Sequence, residues 1–336
     1  MTNWLRESEK FSLIGLQVDV DSSLSDGPTG DGLEAYTSLK LDTPGHWREW
    51  LGTIRIEDVE ACTLILVSRH RSRTPGILDG ENQALSRRVG LWYTGLMLAC
   101  PLDAWADPIT AGGELRKGEL DFREFGTLGA PHGSTIRLTS EVTIEVLVEA
   151  AHIASVIDQL MANPEADRWR LMRCLQIYQE ARKLSDPMDR IHQFARCIEG
   201  LLATSSGNSK ARFKSRTELF VGPKHHETMG TIYDIRSEVE HLHEDLRLRP
   251  FDRAKRLEMA KMEVVVGELA RYVLHRIFRD AALAVKMGSR DDLEAFWRLD
   301  PTERQAIWGP AYDLMAPLDG VSEDHISDEE LGIERT

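Results

Sequence analysis

An arginine and two histidines fall close together in the stretch TIYDIRSEVEHLHEDL, residues 231–246: Arg236, His241 and His243. Four residues separate Arg236 from His241, and six separate it from His243. An arginine presents planar, permanently charged donors that match two oxygens of a phosphate. A histidine changes protonation near neutrality and takes or gives a proton during a reaction. The two together suit cleavage of RNA without a metal. The ribose 2′-hydroxyl attacks the neighbouring phosphorus, histidine moves the protons, and arginine stabilises the charge on the phosphate oxygens. DNA lacks that hydroxyl and would be left intact. Tyr233 and Ser237 beside the arginine, and Lys210, Arg212, Lys214 and Arg216 ahead of it, are candidates to guide the RNA. A surface or structural role fits each of these equally. The bland alternative for the whole stretch is a solvated helix face, on which Arg236 and Glu240 form an i, i+4 pair contributing about 0.2–0.5 kcal/mol.

These residues need a helix to hold them, and the spacing predicts one over about 225–246. Ile232, Ile235, Val239, Leu242 and Leu246 recur at i, i+3, i+7, i+10 and i+14, a narrow seam suited to an interhelix contact. At about 100° per residue, His243 lies almost in line with Arg236, whereas His241 lies about 140° away. One straight helix therefore does not bring Arg236 and His241 together. A second copy of the helix, or a bend near its end, would. The chain has no GxxxxGK[ST] or GxGxxG phosphate loop, no HExxH and no GxSxG. His225 and His226 are adjacent, so on a helix they point about 100° apart and suit no shared metal. No metal or cofactor is expected.

The 336 residues suggest two domains with separate cores. No apolar run reaches the roughly 20 residues of a membrane span, and the first residues lack a secretory pattern. Cys62, Cys100, Cys174 and Cys197 are scattered and read as small buried hydrophobes. A reducing cytoplasm is the expected compartment. Net charge is −14 but uneven. Residues 1–150 carry 14 basic and 23 acidic residues, net −9; residues 151–280 carry 22 and 19, net +3; residues 281–336 carry 5 and 13, net −8. The middle region alone favours a polyanion, and too mildly for broad backbone binding.

The expected fold class is α+β: a strand-rich mixed domain over 1–140, a helical domain with a C-terminal helical extension over 141–316, and an acidic, disordered tail over 317–336. Strands are expected at FSLIGLQVDV (11–20), TSLKL (37–41), CTLILVS (62–68), ELDFREFG (119–126) and STIRL (134–138), with loops at 25–32 and 126–133. Residues 82–100 read as a helix on the sheet. From Thr139 the pattern is helical. It gives helices over about 139–162, 165–184, 187–204, 210–222, 225–246 and 250–280, with one or two more before 316.

In order and spacing, DPMDRIHQFARCIEGLLAT (186–204), KARFKSRTELFVG (210–222) and IYDIRSEVEH (232–241) resemble the Apea-like HEPN domains. Those are helical bundles defined by an Arg-x4–6-His motif on a late helix. The resemblance covers roughly residues 150–280. It maps the motif onto Arg236 and His241, with His243 at the longer spacing. The family often has glycine after this histidine, where this sequence has Leu242, and Glu238 and Glu240 lie inside the motif. The resemblance implies a homodimer through the 225–246 helix, which would let Arg236 and His241 converge from two chains. It implies a metal-independent endoribonuclease acting on RNA in antiphage defence or as a toxin. It leaves as the alternative a non-catalytic sensor or interaction protein that dimerises and binds a protein partner or nucleotide. A protein trigger or regulator bound by the acidic N-terminal domain is a further expected partner.

Overall fold

A computed structural model of the chain describes residues 4–30, 32–41, 44–74, 76, 79–129, 131, 136, 138, 140–163, 167–203, 208–243, 253–319 and 321. The fold is α+β and divides into two compact units. Met1–Pro131 and Thr139–Asp158 form the first; His132–Leu138 and Gln159–Thr336 form the second.

The first unit is built on an antiparallel sheet ordered β2-β3-β4-β1-β5-β6, formed by β1 (Glu9–Leu16), β2 (Gly27–Gly30), β3 (Leu33–Tyr36), β4 (Leu64–Arg71), β5 (Ile109–Arg116) and β6 (Glu119–Thr127). β1 is buried along almost its whole length, Lys10 and Ser12 included, because both its faces are covered. Ile14 and Leu16 share one face with Leu64 and Leu66 and pack beneath α2 (Gly80–Ala99) and α3 (Ile144–Met161). Phe11 and Leu13 share the other with Ile65 and Val67 and pack against α1 (Gly45–Glu60). The sequence pattern predicts that α3 opens the helical domain at about 141. Instead the Trp92 indole N–H donates to the Leu147 carbonyl at 3.0 Å, and a Cβ on Gly95 would lie 2.1 Å from the Ala150 carbonyl oxygen. That close approach ties α3 to α2 and the sheet as far as Asp158.

Several expectations change here. TSLKL is not a strand: residues 37–41 run irregularly after β3, and Leu39 and Leu41 fill the core. The expected loop at 25–32 contains β2. β3, β5 and α1 form where the sequence pattern predicts no element. STIRL lies largely outside the described residues; its Ile136 is buried beside Ala260 and Val264.

The second unit is helical: α4 (Trp169–Ala181), α5 (Pro187–Leu201), α6 (Ser209–Val221), a 3-10 turn (Pro223–His225), α7 (His226–Glu240), α8 (Arg253–Phe278), α9 (Ala281–Lys286), α10 (Arg290–Arg298) and α11 (Pro301–Trp308). The Asp186 carboxylate caps α5 by accepting from the Met188 and Asp189 amides, and Pro187 fills the first turn. Ile191, Phe194, Ile198 and Leu201 of α5 are buried, as the spacing predicts. α5 packs on α4, α7 and α8. Val265, Leu269, Val273 and Ile277 of α8 are buried, but so are Val264, Val266, Ala270 and Leu274. α8 is apolar on more than one side because it runs through the core. The acidic stretch 322–336 lies outside the described residues.

Candidate functional site

The site is built on α7 and the turn that ends it. His225 is buried just before α7, and burial with the nearby Lys224 charge pushes its pKa down. His226 turns to Glu218, so the two adjacent histidines serve different neighbours. Met229, Ile232 and Ile235 are fully buried within the second unit, where α7 packs on α5 and α6. Val239 is only half-buried. The seam read as a possible meeting place for two chains is thus taken up, in its first half, by this chain's own helices.

α7 stops at Glu240 instead of running to 246. The His243 amide donates to the Glu238 carbonyl at 2.8 Å and the Leu242 amide to the Val239 carbonyl at 3.1 Å. That nested pair of bonds closes a Schellman turn, which needs a left-handed residue after the cap. Leu242 supplies it, with φ of 58° and 80 % of its surface exposed. The 140° separation of Arg236 and His241 belongs to a straight helix and does not apply past Glu240. The backbone bends, and exposed His241 and His243 flank Leu242 with ring centres 6.3 Å apart. Leu246 lies outside the described residues.

Arg236 sits one turn before this bend and faces α5. Its Nη2 lies 3.2 Å from Glu199 Oε2, with the two side chains only 21 % and 17 % exposed. Its guanidinium also lies 5.9 Å from the centre of the Tyr233 ring, and its Nε is buried without a hydrogen-bond partner. Glu240 does not form the expected i, i+4 pair with Arg236. It turns to α5, where its Oε2 lies 2.7 Å from His192 Nε2. The hydrogen bond from His192 holds the Glu240 carboxyl below the usual range, helped by the charges of Arg236, His192 and Arg196.

The basic helix α6 is largely engaged. Lys210 pairs with Asp234 at 2.7 Å and Lys214 with Glu227 at 2.9 Å. Arg216 turns inward. It donates to the Leu202 and Ala203 carbonyls at the end of α5 and stacks over Trp297 at 5.0 Å. Burial pushes its pKa down, and the Arg212 and Arg304 charges add to the effect. Arg212 is half-buried on the same helix. Tyr233 packs its ring 5.4 Å from Phe213. The Ser237 carbonyl accepts the His241 amide at 3.1 Å.

Three residues outside the sequence motif complete the cluster: His192, Arg196 and Glu199. They sit at i, i+4 and i+7 on α5, flanking its buried stripe, which was their only local signal. Among the described residues no group of three or more His, Cys, Asp or Glu side chains is placed to hold a metal ion. The four cysteines are buried and form no disulfide. Among the described residues no helix is long and apolar enough to cross a membrane. No protein-family model, curated protein or solved structure matches the chain.

Proposed function

We propose that the chain is an endoribonuclease of the HEPN kind, cleaving RNA without a metal as an effector of antiphage defence or as a toxin. The observation that carries this reading is the end of α7, where two exposed imidazoles stand 6.3 Å apart, just beyond Arg236. In this reading one imidazole, that of His241, accepts the 2′-hydroxyl proton as the oxygen attacks phosphorus. The other, that of His243, gives a proton to the 5′-oxygen as the P–O5′ bond breaks. The products are a 2′,3′-cyclic phosphate and a 5′-hydroxyl, with no atom left over. Arg236, oriented by Glu199 and Tyr233, stabilises the charge on the phosphate oxygens. Tying Glu240 to His192 draws one of the two motif carboxylates toward α5. The homodimer implied by the resemblance would use the exposed end of α7, since Ile232 and Ile235 are already covered.

The test is cleavage of total RNA in EDTA by the wild type, Arg236→Ala and His241→Ala. Cleavage in wild type, lost in both variants, supports the reading; cleavage that needs Mg²⁺ overturns the mechanism. A second reading, a non-catalytic sensor or interaction protein, is favoured by the Arg236–Glu199 pair, which already answers the arginine's charge. Full biological activity in cells carrying Arg236→Ala and His241→Ala would select it.

A further inference from the structure

We infer that Arg196 is a phosphate-binding residue of this site and contacts the backbone of single-stranded RNA beside His241. The inference rests on the ribonuclease reading above. α5 and α7 run antiparallel along their polar edges, because His192 of α5 meets Glu240 near the end of α7 while Glu199 meets Arg236 one turn earlier. Arg196 lies between His192 and Glu199, four residues after one and three before the other. Those two cross-helix pairs bracket it at the level of the last turn of α7.

The bracketing residues and Arg196 differ in exposure. His192 is buried, and Glu199 and Arg236 are mostly buried and paired. Arg196 is exposed, and no ion pair or hydrogen bond among the described residues takes up its guanidinium. Its charge nevertheless reaches Glu240, the residue directly before His241. A guanidinium that is already in water meets a phosphate without first giving up a protein partner. Arg236 must share itself with Glu199 to do the same. A solvated arginine of no consequence is the usual reading of an exposed side chain. Here the two flanking pairs place it along the α5–α7 edge, level with the last turn of α7 that leads into His241.

The test is binding of a short single-stranded 2′-O-methyl RNA, which cannot be cleaved by 2′-oxygen attack, followed by fluorescence anisotropy across a salt series. Arg196→Ala is expected to weaken binding roughly 5- to 10-fold and to reduce the salt slope by about 0.7, the loss of one phosphate contact. Its melting temperature should match wild type, and Arg196→Lys should keep the slope while losing part of the affinity. If Arg196→Ala binds within about twofold of wild type with the same slope, and wild type still cleaves RNA, this inference is overturned while the ribonuclease reading stands. If wild type neither binds this RNA nor cleaves total RNA, both are overturned.

Discussion

Leu242 decides where the two histidines point. A non-glycine residue in the left-handed region carries a cost of roughly 1 kcal/mol, and here the residue is a leucine that buries almost nothing in return. The strain sits between His241 and His243, at the turn that sets their separation. Leu242→Gly is therefore expected to raise stability by roughly 0.5–1 kcal/mol, read as a higher melting temperature. An unchanged or lower midpoint would contradict a left-handed Leu242. Arg236, His241 and His243 stand out by type and spacing alone. The stop at Glu240 does not, because the apolar spacing runs on through Leu242 and Leu246 and no glycine marks the turn. Nor do the partners Glu199 and His192 stand out. They lie about 40 residues upstream, and only the packing of α5 on α7 brings them in.

At the scale of elements, the α5–α7 pair is the frame of the site, and Glu240 makes it sensitive to acid. The Glu240 carboxyl ionises more readily in the folded chain, chiefly through the His192 hydrogen bond. Its contribution to stability is therefore full above the ordinary glutamate value of about 4.3 and is lost as pH falls through the lower folded value. Melting temperatures of wild type and Glu240→Gln should differ at pH 7, and the gap should narrow as pH falls below about 4.3 and close below the lower folded value. A gap that stays constant down to that pH would rule out this role for the pair. The helices of this frame were legible because each carries an apolar stripe at helical spacing. α1 and β5 were not. α1 is interrupted by Gly52 at φ of 77°, and β5, ITAGGELR, has the glycines that strands usually avoid. β5 is a strand because β1 and β6 pair with it on both sides, and Gly113 admits the bulge where a Cβ would meet the Asp121 carbonyl at 2.1 Å. Pairing of that kind is a property of the sheet, not of the segment.

At the scale of the whole chain, the helices after α8 lock the bundle that carries the site. The Trp297 indole donates to the Leu201 carbonyl at 2.9 Å, and the guanidiniums of Arg216 and Arg304 lie 5.0 and 5.5 Å from its ring. Trp308 packs against Phe220 with ring centres 4.5 Å apart. Trp297→Ala is expected to cost about 3–5 kcal/mol in denaturant unfolding. Deeper in the same unit, Arg190 and Glu263 form a buried pair at 2.7 Å. Glu263→Gln should cost a comparable 3–5 kcal/mol by leaving a buried guanidinium without its counter-charge; a loss under about 1 kcal/mol would show that the pair is not needed. The central claim is chemical and is tested most directly by the ends of the cleaved RNA. Wild type in EDTA is predicted to leave 2′,3′-cyclic phosphate and 5′-hydroxyl ends, to leave DNA intact, and to slow about 10²–10⁴-fold in His241→Ala. Ends bearing a 5′-phosphate, or equal rates in wild type and His241→Ala, would contradict it.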